Sequence, residues 1–437
     1  MRRLLTAITS VEWLILLCVL PLILFPNPQR SLVLLIIPLL WLVRKEVDGR
    51  FLPTTHLNTS LLLLSLTLLV SLYASYDLSL SLPKVIGVLY GIALFFAVTA
   101  STSRSPRHLQ IGLAIFLLAG LGIVLVSIIG TSWGAKLPGF GRLINRIPQL
   151  ISNVPGATDG FSPNEVAGTL LWFVPLGLTL SLTPHTISRQ ITTRKILKLF
   201  FILFLWGFAL FTTVAFILTQ SRSGYLAFVA AGFLIIWGVL HHRRRLLWGL
   251  VVFIIGSSIG LITLVGWSQI SQLFLAFAND AISSEGVTLT GRTEVWERAI
   301  YAIRDFPLTG MGMNLFRYIV PVLYPFFAMS TNLDIAHAHN QFLQVGLDLG
   351  IPGLIAYTAL WLGLITMLWQ SWQRSVELWS RFLTVGFAAS LVGAFIFGLT
   401  DAVALGAKPG FMFWFLLGLI TGHYRWLVGA THEDNDS

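Results

Sequence analysis

The stretch His337-Ala338-His339-Asn340 sets two imidazoles and an amide within four residues. Histidine is the side chain that exchanges a proton near neutral pH, so a general base is one reading. A self-satisfied polar cluster that anchors the following helix is the plainer one. His-x-His also ligates zinc, but the nearest carboxylate in sequence is Asp334 and the one cysteine, Cys18, is remote, which argues against a metal set. A second group, Gln220-Ser221-Arg222-Ser223-Gly224, opens an apolar run with an arginine between hydroxyls. A helix start there would add free amides and a positive dipole end, making Ser221, Arg222 and Ser223 an anion seat. An arginine snorkelling to lipid phosphate is the alternative. Arg292, following Gly291, joins helix-start amides to a guanidinium fork that suits a diphosphate, or is simply a solvated surface arginine. Asn164, in Phe161-Ser162-Pro163-Asn164-Glu165, heads another apolar run, and Asp401 and Lys408 flank a late turn. Each could line a cleft. Gly310-Met311-Gly312 follows no strand and reads as a turn, and no Walker, nucleophile-elbow, HExxH or nucleic-acid module is present.

The elements that must hold these groups are membrane helices. Of 437 residues, 56% are hydrophobic and 11% charged, far from the balance of a soluble domain. About 20 apolar residues cross a bilayer as helix, because an unpaired backbone amide in lipid costs several kcal/mol. The sequence predicts an all-α polytopic protein with about twelve spans, near 11–27, 31–43, 57–74, 84–100, 108–130, 164–183, 197–218, 222–240, 246–267, 350–371, 380–400 and 409–428. Arg2 and Arg3 precede an uncleaved first span, since no small-residue cleavage site follows. The net charge of +10 fits the bias of Lys and Arg toward cytoplasmic loops and calls for no nucleic acid.

Short loops obey that bias best, so the His-His-Arg-Arg-Arg turn at 241–245 fixes the frame, with both termini cytoplasmic. Residues 1–267 then hold spans one to nine, with an external loop at 131–163 that carries Lys136, Arg142, Arg146 and Asp159. Residues 268–349 form a large periplasmic loop, 350–428 hold spans ten to twelve, and 429–437 are a cytoplasmic tail. Within the large loop, an amphipathic helix is expected near 291–306. Thr290 would cap it, Glu294 and Arg298 would pair at i,i+4, Val295, Ala299, Ile303 and Phe306 would share a face, and Pro307 would end it.

Taken together, Ser221-Arg222-Ser223-Gly224 heading an outer span, Gly291, Arg292 and Trp296, then Pro307, Gly310, Gly312 and Phe316, then His337, His339, Asn340, Leu343, Gly350 and Gly353 resemble the O-antigen ligase and polymerase superfamily. Asn164 in the Pro-Asn start of span six also fits. The resemblance implies a transferase that moves a glycan from a polyprenyl diphosphate carrier to an acceptor hydroxyl, outside the inner membrane, without metal or other cofactor. The acceptor would be a glycan, lipid-linked or protein. The resemblance further implies that Arg222 and Arg292 hold the diphosphate, that His339 is the general base and His337 its helper, and that Asn340 orients a histidine. Ser221, Ser223, Asn340, Asn164 and Lys408 would bind substrate, and inversion at the anomeric carbon by single displacement is expected.

Two other classes fit part of the pattern. A secondary transporter of a small anion such as bicarbonate often has twelve spans, but the two halves show no repeat and the ionisable candidates gather at one face. A scaffold for glycan export would need no histidine at all.

Overall fold

The computed structural model describes residues 2–24, 32–134, 141–154, 157–186, 194–241, 289–327, 335–403 and 405–433, with isolated positions between 243 and 269. The first half provides α1 (Arg2–Ile23), α2 (Ile36–Asp48), α3 (Asn58–Ala74), α4 (Leu78–Thr102) and α5 (Pro106–Gly130). Then come α6 (Pro163–Leu170) and α7 (Val174–Leu182), two halves of one apolar segment, followed by α8 (Lys195–Leu218) and α9 (Arg222–Leu240). The rest holds α10 (Leu289–Asp305), α11 (Phe316–Leu323), α12 (Gln341–Arg374), α13 (Leu378–Gly398) and α14 (Gly410–Glu433). The protein is an all-helical, multi-pass membrane protein.

Among the described residues, 9 helices are long and apolar enough to cross a membrane. The expected span at 57–74 is the 17-residue α3. The expected span at 31–43 is α2, only 13 residues long, which at 1.5 Å per residue reaches about 20 Å and falls short of a hydrocarbon layer of about 30 Å. The expected ninth span, 246–267, lies outside the described residues apart from isolated positions, as do Lys136, Asp334 and 270–288. The tenth starts earlier than expected, because Gly350 (φ 70°, ψ −175°) kinks α12 without ending it.

Helices α4 and α14 form the centre and α9 lies outermost, with Leu226, Val229 and Phe233 exposed on a face that suits lipid. Glycines permit the closest approach in the centre: a Cβ on Gly91 would stand 2.0 Å from the Trp414 ring. The two ends of the bundle gather different segments. At one end Ser81 Oγ donates to Met313 O, Asn314 Nδ2 to Leu80 O, Gln220 Nε2 to Gly134 O and Asn340 Nδ2 to Leu399 O. At the other, Arg104 donates to Thr9, Tyr424 to Gln370 and Arg381 to Ser375 O, and Arg44 pairs with Glu12. An alternating chain requires this grouping.

Helix α10 is described from Leu289, so the expected cap position Thr290 falls within its first described turn. Its buried face is Val295, Ala299 and Ala302. Phe306 falls past the last helical residue and is half-exposed, because the chain must leave helical geometry before Pro307. Glu294 and Arg298 pair at 3.4 Å. Together with Met311, Phe316, Val320, Ile335, Ala338 and Leu347, the α10 face makes a small apolar core of its own over the head of α12.

Candidate functional site

Two helix heads meet at the end of the bundle that carries α10. Ser221 caps α9, its hydroxyl accepting from Gly224 N at 3.2 Å. Asn340 caps α12, its Oδ1 accepting from Phe342 N and Leu343 N, both at 3.0 Å. The 399–409 turn joins α13 to α14 between them. Short polar side chains at N-caps satisfy amides that the helix leaves open.

His339 sits at the centre, 3% exposed, in the left-handed region at φ 46°. Its amide donates to His337 Nδ1 at 3.2 Å, and its carbonyl accepts from Trp296 Nε1 at 3.3 Å. Its Nδ1 faces Asp401 Oδ1 at 3.2 Å. Burial alone would raise the pKa of Asp401, but the hydrogen bond and charge of His339, then His337 and Arg292, hold it well below the usual carboxylate range. An ionised carboxylate only accepts, so Nδ1 of His339 is the donor in this contact, and in a neutral ring Nε2 would be the nitrogen with the lone pair. That is the tautomer of a general base oriented by a carboxylate.

Burial pushes His337 down to about 3, His339, Arg292 and Lys84 adding to the effect and Asp401 opposing it. It is neutral at physiological pH, in keeping with a ring nitrogen that accepts from the His339 amide. The two rings stand 4.4 Å apart at 60°.

Arg292 is no solvated surface residue. Its Nη1 donates to Thr400 O at 2.8 Å and to Ser223 Oγ at 3.4 Å, and its Nη2 lies 3.6 Å from Asp401 Oδ2. One guanidinium thus ties α10 to the head of α9 and to the 399–409 turn. Of its five N–H groups, Nε–H and one on Nη2 have no role in these contacts.

Of the sequence-predicted residues, His337, His339, Arg292 and Ser223 come together, with Ser221 and the partly exposed Arg222 beside Ser223 at the head of α9. Asn340 points its amide into the helix cap and into Leu399 O at 3.0 Å, so its hydrogen bonds serve the backbone and not a histidine ring. Asn164 is buried in the first turn of α6, the helix whose Ala167 meets Gly224 of α9. Lys408 stands on the turn with Asp401, within electrostatic reach of Lys84 and Glu165. In the sequence Asp401 merely flanks a turn, and no local pattern marks Trp296 as a support of His339. Lys84 does carry a sequence signal: an ionisable residue inside an apolar segment, one place after Pro83.

His337, His339 and Asp401 could each offer a donor atom to a cation, these atoms lying within 4.8 Å of one another. So the carboxylate for such a set comes from Asp401, not Asp334. Within the trio both Nδ1 atoms are engaged by hydrogen bonds, and the Arg292 guanidinium stands 3.6 Å from the Asp401 carboxylate.

Residues 207–358 match a family model described as O-antigen ligase, a segment that includes Ser221, Arg222, Ser223, Arg292, His337, His339 and Asn340. No curated protein matches the chain.

Proposed function

Because residues 207–358 match a family model described as O-antigen ligase, we propose that the chain transfers a glycan from a polyprenyl diphosphate to an acceptor hydroxyl. The reaction would take place at the periplasmic end of the bundle in the inner membrane. The observation that carries this reading is His339 held by Asp401, 3.2 Å away, beside the Arg292 guanidinium at the heads of α9 and α12.

In this reading the acceptor oxygen attacks the anomeric carbon while the bond from that carbon to the diphosphate oxygen breaks. The acceptor proton passes to His339 Nε2, and the leaving diphosphate keeps the electron pair. Charge grows on the leaving group, and the remaining N–H groups of Arg292, with Arg222 and the positive dipole end of α9, are the groups that meet it. Ser221, Ser223 and Asn164 line the donor side. One displacement inverts the anomeric carbon. Arginine and helix dipole do the neutralising, so the reading needs no metal. The carrier's tail stays in the bilayer, which suits an enzyme made of membrane helices.

The test is transfer by purified protein in detergent from a polyprenyl diphosphate glycan to lipid-linked, glycan and protein acceptors. Arg292→Ala should lower the rate by about 10²–10³-fold, the usual cost of one donor to a developing anion. A wild type inert toward every donor and acceptor, whose vesicles nonetheless take up bicarbonate, would overturn the transferase reading.

A further inference from the structure

Lys84 belongs to no part of the site described so far. It lies two turns into α4, in a segment that is otherwise apolar to Thr102, and it stays partly exposed although α4 is a central helix. A charge in such a segment is costly and marks a ligand pathway more often than an accident. The backbone around it is fixed closely. A Cβ on Gly406 (φ +73°) would stand 2.2 Å from Lys84 O, and one on Gly87 would stand 3.0 Å from Gly406 O. The 399–409 turn is therefore seated on α4 at Lys84, and Lys408 follows Gly406 by two residues.

Around these two ammonium groups stand Glu165, Asp348 and Arg317, all within electrostatic reach of Lys84. The Asp348 carboxylate accepts from Gln344 Nε2 at 2.8 Å. Among the described residues no hydrogen bond or ion pair within 4 Å holds the Lys84 ammonium. It is a partly exposed cation inside an apolar segment, with Glu165 and Asp348 as counter-charges at electrostatic range. Lys84 also lies within electrostatic reach of His337, as Arg292 does. The His337–His339 pair is thus served by two cation groups from different elements. One is Arg292 with the head of α9. The other is Lys84 with Lys408, on α4 and the turn before α14.

A transferase brings two substrates to one base, and the arginine group suffices for one diphosphate. We propose that Lys84 and Lys408 form a second anion seat, which holds a phosphate or carboxylate carried by the acceptor and so brings its hydroxyl to His339. The identity of this ligand rests on the transferase reading above; the seat itself rests on the placement of the two lysines.

The experiment compares wild type, Lys84→Met, Lys408→Met and Lys84→Arg with one donor and paired acceptors that carry or lack the anionic group. Phosphate-bearing and carboxylate-bearing acceptors distinguish the two anion sources. The expected result is a KM for the anionic acceptor raised tenfold or more in both methionine variants, little difference for the neutral acceptor, and recovery in Lys84→Arg. A rise in the donor's KM instead would assign Lys84 to the donor diphosphate and overturn the proposal. So would equal losses on both acceptors with a lower Tm, which would mark Lys84 as a counter-charge for Asp348 and Glu165. Should the wild type transfer nothing, the transferase reading fails and the seat is judged separately by thermal shift with inorganic phosphate. Phosphate should then raise the Tm of Arg292→Lys but protect the Lys84→Met/Lys408→Met double variant at least tenfold less well, and equal protection would overturn the seat.

Discussion

Nδ1 of His339 and Oδ1 of Asp401 are 3.2 Å apart across 62 residues of chain. The contact joins the loop before α12 to the turn before α14, so it exists only when both are docked. It fixes which nitrogen of His339 carries the proton, and with it which nitrogen can take one.

Asp401→Asn keeps the size of the side chain but removes the charge that selects this tautomer. Loss of the orienting carboxylate in a histidine-based site costs about 10²–10⁴-fold in rate, and that is the expected fall in glycan transfer. The protein should stay folded, because Arg292 still reaches Thr400 O and Ser223. An Asp401→Asn enzyme with more than a tenth of the wild-type rate would show that Asp401 does not orient the base.

The φ of 46° at His339 decides which variant tests the base cleanly. Alanine is strained in the left-handed region, whereas asparagine visits it readily and has no titratable nitrogen. His339→Asn should therefore keep its Tm close to wild type and lose about 10²–10⁴-fold in rate. His339→Ala should lose both activity and stability. Equal melting of the two variants would mean that the backbone here is not constrained.

What the sequence reveals of this site follows chain proximity. His337, His339 and Asn340 are neighbours, and Ser221, Arg222 and Ser223 announce a capped helix head, so residue types alone expose them. Asp401 and Trp296 join His339 only through tertiary docking, 62 and 43 residues away, and no local pattern encodes such a pairing. Asn340 shows the converse: its position beside the histidines suggests a role on a ring, while its chemistry as an N-cap claims it for the backbone. The helices were legible because lipid demands long apolar runs. At 31–43 composition says less, since that stretch is a 3-10 turn, Leu32–Leu35, running into the 13-residue α2.

His337 gives the protein an acid sensitivity with a definite sign. Its pKa is about 3 in the folded protein against about 6.5 for an unperturbed histidine. Above pH 6.5 it is neutral folded or unfolded and contributes nothing to pH dependence. Between 6.5 and 3 the unfolded chain binds a proton that the folded one refuses, so stability falls as pH falls. His337→Asn keeps an acceptor for the His339 amide and removes this titration. Melting followed from pH 7.5 to 4 in detergent should show the wild type losing Tm faster than the variant, with the curves parallel above 6.5. Parallel curves throughout would mean that His337 is not held neutral by burial.

Gly310 and Gly350 interlock the segment that carries α10 and α11 with α12, and their replacement should undock it. A Cβ on Gly310 (φ 66°) would stand 2.6 Å from Leu349 N, and one on Gly350 (φ 70°) 2.8 Å from Pro307 O. Two backbone bonds close the joint, Met311 N to Leu347 O at 2.8 Å and Ile351 N to Pro307 O at 2.7 Å. With ψ −175°, Gly350 occupies a region essentially reserved for glycine. Strain of that kind costs about 1–3 kcal/mol per residue, before the steric clash is relieved. Because α10 carries Arg292 and α12 starts beside His339, loosening this joint separates the guanidinium from the base. Gly350→Ala should thus lower the Tm, increase protease cutting between 306 and 327, and reduce transfer together. Gly122→Ala is the matched control, since a Cβ there meets nothing within 4 Å and alanine suits a helix interior better than glycine. If Gly350→Ala melts and is cleaved like Gly122→Ala, the joint is looser than its geometry demands, and the α10–α11 segment does not depend on it for its place over the site.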